Sequence, residues 1–142
     1  MLEGGEGRNR LFGGADQDTL TGGGSGDVLV GGAGLDQMTG YGGADVFRFH
    51  SGGDIGNDTF TGSPTELERI SDFTSGEDVI DLRPMQVAFT WVGAAAFSGR
   101  GPELRFDGAK SWLQGDTDGN GVADFTLLLS GVSVIVETDL LT

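Results

Sequence analysis

A large apolar residue recurs at every ninth position through the first third of the chain: Leu11, Leu20, Leu29, Met38 and Phe47, after which Gly56 ends the series. Two places before each stands a carboxylate or amide: Asn9, Asp18, Asp27, Asp36 and Asp45, followed by Asp54 in the same register. Two places earlier again lie Gly7, Asp16, Ser25, Gly34, Gly43 and Gly52. The first two places of each unit read Gly4-Gly5, Gly13-Gly14, Gly22-Gly23, Gly31-Gly32, Gly40-Tyr41 and Phe49-His50. Such segments are too glycine-rich for an ordinary strand or helix. Glycine falls where a tight turn needs positive φ or close backbone approach; Asp16 is a tolerable substitute because aspartate visits the left-handed region, and Ser25 is a poorer one. The pattern predicts six residues of turn and three of strand per unit, with the middle strand side chain pointing inward. So short a strand cannot bury its own apolar residue, so units must stack, with strands roughly 4.8 Å apart and the Leu/Met/Phe row as a thin interior. Stacking also places the aspartates of like turns in rows, and such rows need cations between them.

The periodicity stops near residue 58, dividing the chain into 1–57 and 58–142. In the second part, Ser63-Pro64-Thr65-Glu66 reads as a capping box with proline at the first helical position and predicts a short helix through about Ile70. Strand-like runs follow at Val79–Leu82, Gln86–Val92, Glu103–Phe106, Trp112–Gln114, Asp124–Leu129 and Val132–Val136. A stacked roll exposes a bare strand edge at its end, so residues 59–142 are expected to cap it. The expected fold class is all-β: a parallel β-roll followed by a β-rich cap with one short helix.

Composition sharpens the need for cations. In 142 residues there are 22 acidic side chains against 8 basic ones, a net charge of −14, together with 28 glycines and no cysteine. That charge repels nucleic acid, acidic polysaccharide and anionic membrane surfaces, and it opposes compaction unless neutralised. Without cysteine there is no disulfide to staple the fold, which is compatible with the cytosol and equally with a secreted protein that stabilises itself with metal. No N-terminal signal peptide and no apolar run of transmembrane length is read in the sequence, so membrane insertion is not expected and export would need another signal.

The stretch GGAGLDQMT at 31–39 matches in full the GGxGxDxUx nonapeptide of the RTX calcium-binding proteins, which the chain resembles over residues 1–57. In that family two nonapeptides make one turn of a parallel β-roll, with each Ca²⁺ between a loop and the next loop on the same edge. The resemblance implies pairing of Asn9 with Asp27, Asp18 with Asp36, Asp27 with Asp45, and Asp36 with Asp54. Its remaining ligands would be backbone carbonyls in the turns, at Gly5, Gly7, Gly14, Asp16, Gly23, Ser25, Gly32, Gly34, Gly43 and Gly52. Hard oxygen donors in a flexible cage suit Ca²⁺ better than Mg²⁺. Asn9 lacks the charge and Asp16 and Ser25 replace glycine, so the first site is expected to be the weakest. DVFRF at 45–49 and RISDFTSGEDVIDL at 69–82 resemble the C-terminal domain of serralysin-type metalloproteases and other type I secretion substrates. That resemblance makes Asp72 a further candidate ligand, with a surface turn residue as the alternative.

Other motifs compete with plainer readings. In DTDGNGVAD, Asp116, Asp118, Asn120 and Asp124 alternate as in a calcium loop, but Leu127 stands where an EF-hand has its bidentate acid, and a polar hairpin turn accounts for the same residues. His50 is the only histidine, so a His-Glu-x-x-His zinc site is ruled out, and it is expected to face solvent. Trp91 and Trp112 lie in strand-like runs and are expected in the core rather than on a sugar platform.

No catalytic constellation is read, so the expected function is calcium-coupled folding. The chain would be a non-catalytic RTX module binding several Ca²⁺ ions, the C-terminal secretion and folding part of a larger bacterial protein passed by type I machinery to the extracellular space, and acting as a monomer. Affinities on the order of 10⁻⁴ to 10⁻³ M would leave it unfolded in the cytosol and folded outside. The end, Glu137-Thr-Asp-Leu-Leu-Thr142, resembles acid-then-apolar secretion tails or simply ends a final strand. The alternative function is a carbohydrate-binding module like those of alginate epimerases, against which the charge weighs where the glycan is acidic.

Overall fold

The computed structural model describes residues 1–51, 55 and 67–142. Alternate nonapeptides go to alternate sheets. β1 (Leu2–Gly5), β3 (Thr19–Gly23) and β5 (Gln37–Tyr41) pair in parallel in one sheet, and β2 (Arg10–Ala15), β4 (Val28–Ala33) and β6 (Val46–Arg48) do so in the other. Within each sheet the register is residue i with i+18: Leu2 with Leu20, Leu20 with Met38, Leu11 with Leu29, and Leu29 with Phe47. Two nonapeptides therefore make one turn of a parallel roll. The inward residues Leu20, Leu29, Met38 and Phe47 are wholly buried and Leu11 nearly so. Burying each contributes roughly 1.5–3 kcal/mol, and none could do so within a lone three-residue strand.

The sheets run on past residue 58. β7 (Glu68–Ile70) adds to β5 with Met38 opposite Ile70, and β8 (Val79–Asp81) adds to β6 with Phe47 opposite Ile80. The end of the nonapeptide register is thus not the end of the roll. β12 (Phe125–Leu129) pairs in parallel with β7, and an antiparallel meander through β11 (Trp112–Asp116) and β10 (Glu103–Asp107) extends the first sheet to β9 (Thr90–Trp91). The second sheet ends on β13 (Leu140–Leu141), parallel to β8. One core joins roll and cap, with Leu104, Leu113, Phe125 and Leu127 in the same cluster as Met38 and Phe47. Both sheets end at this pole on two-residue strands, a short edge that limits pairing with another chain.

Three expected elements change. The start of the expected helix lies outside the described residues, but its last turn is strand β7, because Glu68-Arg69-Ile70 alternates like the roll units and pairs on both sides. Only Thr90–Trp91 of the run 86–92 is strand, since Gln86 takes a left-handed φ of 57° and closes the 3-10 turn Arg83–Met85. Val132–Val136 joins no ladder; Gly131 turns the chain at φ 78°, and Ile135 reaches the core while Val134 stays exposed. No helix among the described residues is long and apolar enough to cross a membrane.

Candidate metal centre

Because the strands stack at a spacing of 18 residues, the acids preceding them form two rows. Along one, the Asn9 backbone N–H donates to Asp27 Oδ1 at 2.6 Å, and the Asp27 N–H to Asp45 Oδ1 at 2.7 Å. Along the other, the Asp18 N–H donates to Asp36 Oδ1 at 2.7 Å. These are the three pairs implied by the RTX resemblance that fall within the described residues.

Both rows continue where the register lapses. The Asp36 N–H donates to Glu68 Oε2 at 2.6 Å, and the Asp45 N–H to Asp78 Oδ1 at 2.9 Å. The rung after Asp36, assigned in sequence to Asp54, is thus filled by Glu68; Asp54 and Gly52 lie outside the described residues. Glu68 and Asp78 were missed because they follow Asp36 and Asp45 by 32 and 33 residues, not 18. The signal was present, since Glu68-x-Ile70 and Asp78-x-Ile80 repeat the acid-x-apolar ending of Asp45-x-Phe47.

Glycine makes room for the rows. A Cβ on Gly31 would occupy the place of the Asp36 carboxylate, and one on Gly32, at φ 102°, would collide with the Gly14 carbonyl of the turn below. The remaining candidate turn positions stack likewise: Gly23 closes on the Gly5 carbonyl, Gly34 on Asp16, and Gly43 on Ser25. Asp16 takes the left-handed conformation at φ 71°, as does Tyr41 at φ 67°, whereas Ser25 keeps negative φ. The Gly7 carbonyl accepts the Asn9 side-chain amide at 2.9 Å. At the first rung an amide therefore replaces a carboxylate and turns on its own loop.

The interior carboxylates are under electrostatic load. Asp27, Asp36 and Asp45 are 1%, 2% and 1% exposed, and Glu68 is fully buried. The second oxygens of Asp27 and Asp45 have no hydrogen-bond partner. Burial foremost, then the charges of Asp78, Asp27 and Asp72, push Asp45 up to about 6 against the bond from the Asp27 N–H. Burial likewise raises Asp78, against the N–H bonds it accepts. Buried anions with unpartnered oxygens at the mouths of carbonyl-rich turns fit a hard divalent cation, and Ca²⁺ in particular.

The pH response follows with a definite sign. Asp45 rises from 3.8 to about 6 on folding, so the ion-free fold takes up protons that the unfolded chain does not, and its stability increases as pH falls through that window. Asp81, held at about 2 first by the Arg83 guanidinium, then by Arg48, keeps its contribution above about 4 and loses it towards 2. With calcium bound, protons compete for the same ligands. Moving from pH 7 to 5 should therefore bring back part of the β-sheet signal in chelator and lower the melting temperature in saturating calcium; changes of the same sign would contradict this account.

The other candidates lie outside the two rows. Asp72 accepts from the Gly40 N–H at 3.0 Å and the Tyr41 N–H at 2.7 Å, fastening the left-handed turn beside Asp45. DTDGNGVAD is the hairpin between β11 and β12; there Asp116, Asp118 and Asp124 draw together, but both Asp116 oxygens accept backbone N–H groups from Gly119, Asn120 and Gly121. His50 is exposed. Trp91 packs against the core, and Trp112 is half-buried under Lys110, whose Nζ is 4.5 Å from its ring centre.

Comparison with known proteins agrees with this geometry. The family profile described as Peptidase M10 serralysin C terminal matches residues 12–142. Among solved structures, a subunit of the mannuronan C5-epimerase of Azotobacter vinelandii is similar, with a TM-score of 0.53 and 21% identity over 99% of this chain and 78% of the other. That likeness concerns the fold. No curated protein matches the sequence.

Proposed function

Because the chain belongs to the Peptidase M10 serralysin C-terminal family, the non-catalytic part of those proteins and a calcium-binding β-roll, we propose that it is an export and folding module, unfolded at cytosolic calcium and folded by calcium outside the cell. The observation carrying this reading is the pair of carboxylate rows, in which Asp27, Asp36, Asp45 and Glu68 are buried and Asp27 and Asp45 each keep an oxygen without a hydrogen-bond partner, an arrangement that a cation would neutralise at neutral pH. Asp27, Asp45 and Asp78 would serve one row, with Asn9 at its end; Asp18, Asp36 and Glu68 would serve the other. Asp72 and the turn carbonyls from Gly5 to Gly43 would complete the cages. Bound calcium supplies charge neutralisation, so its binding free energy becomes folding free energy.

Export as an open chain by type I machinery sets a condition on affinity. Folding must be negligible at cytosolic calcium and complete outside, which places the midpoint on the order of 10⁻⁴ to 10⁻³ M. Titrating Ca²⁺ into chelator-treated protein while following the fluorescence of Trp91 and Trp112 measures it. A midpoint below about 10⁻⁶ M, in the range of cytosolic sensors and buffers, would overturn the export reading while leaving calcium binding intact.

A further inference from the structure

The turn Thr74–Asp78 faces two ways. On one side Asp78 Oδ1 accepts the Asp45 N–H at 2.9 Å, while Asp78 Oδ2 accepts the Thr74 N–H at 2.8 Å and holds the turn closed. On the other side the turn holds the C-terminal tail. Ser75 Oγ donates to Asp139 Oδ2 at 2.6 Å and the Gly76 N–H to Asp139 Oδ1 at 2.9 Å, while the Val136 N–H donates to Oδ2 at 2.9 Å. Asp139 is 1% exposed, directly after the exposed residues Val136, Glu137 and Thr138.

The strands that follow repeat the connection. β6 begins directly after Asp45, β8 directly after Asp78 and β13 directly after Asp139, and the three are neighbours in one parallel sheet. Leu140 lies opposite Ile80 and joins the core, and the Leu82 N–H donates to the Leu141 carbonyl at 2.8 Å. The tail's template is therefore the strand that the Asp45–Asp78 rung sets in place.

We propose that cation occupancy at the Asp45–Asp78 rung and docking of the tail through Asp139, Leu140 and Leu141 are thermodynamically coupled, so that calcium secures the C-terminus on the sheet and an ion-free chain presents it. The proposal rests on the calcium reading of that rung. Asp139 bonds to the turn and not to a row carboxylate, so it can be changed without removing a ligand. Coupling of this kind is reciprocal: whatever factor calcium contributes to tail docking, tail docking returns to calcium affinity. A tail that resembles a secretion signal would thus be offered only while the chain is open and withdrawn once it has folded.

Carboxypeptidase digestion of the full chain, followed by mass spectrometry for loss of Thr142, Leu141 and Leu140, tests this in saturating calcium and in chelator. The wild type should be cut at least tenfold more slowly with calcium. Asp139→Ala should be cut with calcium almost as fast as without, keep its far-UV spectrum at saturating calcium, and shift the calcium midpoint upward by about fivefold or more, the scale of typical coupling. Ser75→Ala removes one bond and should move both readouts in the same direction by a smaller factor, which decides the matter if Asp139→Ala does not fold. Wild type that binds calcium yet loses its tail equally fast in both conditions overturns the coupling alone. So does a tail freed by either variant with no change in midpoint. Wild type that shows no calcium response at all overturns the rung reading itself.

Discussion

Chelating calcium from the folded chain at neutral pH should abolish its β-sheet circular dichroism, and returning the ion should restore it. At pH 7 Asp45 must ionise although burial pushes it up to about 6. An isolated buried carboxylate costs several kcal/mol after relaxation, whereas a domain holds only about 5–15 kcal/mol of net stability. Asp27 and Asp45, each with an oxygen that finds no partner, are together enough to reach that scale. The loss should also be global. Phe47 of the roll lies 6.2 Å from Phe73, ring centre to ring centre, and shares one core with Leu104 and Phe125 of the cap. The far-UV signal and the near-UV signals of Trp91 and Trp112 should therefore vanish at the same calcium concentration. A β spectrum that persists in chelator at pH 7.5 would mean the rows tolerate their charge and calcium is not the folding ligand.

What could be read in the sequence was whatever the nine-residue period carried. A spacing of nine between apolar residues, with an acid two places earlier, located the strands from β2 to β6, and the resemblance to the RTX family, with two nonapeptides per turn, implied the rungs Asn9–Asp27, Asp18–Asp36 and Asp27–Asp45, all of which stack at 18. Beyond Phe47 the roll keeps its geometry but loses its count, because intervening segments vary in length while strand pairing depends only on what lies opposite. Ile70 and Ile80 still sit over Met38 and Phe47, yet no fixed step leads to them. The glutamate at 68 disguised its rung further, being one methylene longer than the aspartates. Asp139 was illegible for a different reason: its partners Ser75 and Gly76 are 64 and 63 residues away and share no repeat with it. Local patterning also misjudged Val132–Val136, whose composition favours a strand but which has no ladder to join.

The disguised rung supplies the most discriminating substitution. Glu68 is fully buried in β7, between β5 and β12, and its Oε2 accepts the Asp36 N–H at 2.6 Å. Glu68→Gln keeps the length and an acceptor oxygen while deleting the charge, so it separates two roles that Glu68→Ala would remove together. If Glu68 is the third carboxylate of its row, Glu68→Gln should raise the calcium midpoint about tenfold, equivalent to roughly 1.4 kcal/mol, and leave the fold intact at saturating calcium. Asp36→Ala should be more severe, since it takes a buried carboxylate from the middle of the row and also removes the acceptor of the half-buried Asp18 N–H, itself a loss of roughly 1 kcal/mol. Asn9→Ala should be milder than either, within about 1 kcal/mol, because Asn9 brings no charge and its amide serves only the exposed Gly7 carbonyl. Calcium titrations of the three variants side by side yield the order Asp36→Ala, Glu68→Gln, Asn9→Ala. A Glu68→Gln midpoint equal to wild type would reduce Glu68 to a hydrogen-bond acceptor and end that row at Asp36, and equal effects of Asp36→Ala and Asn9→Ala would refute the stacking of the rows altogether.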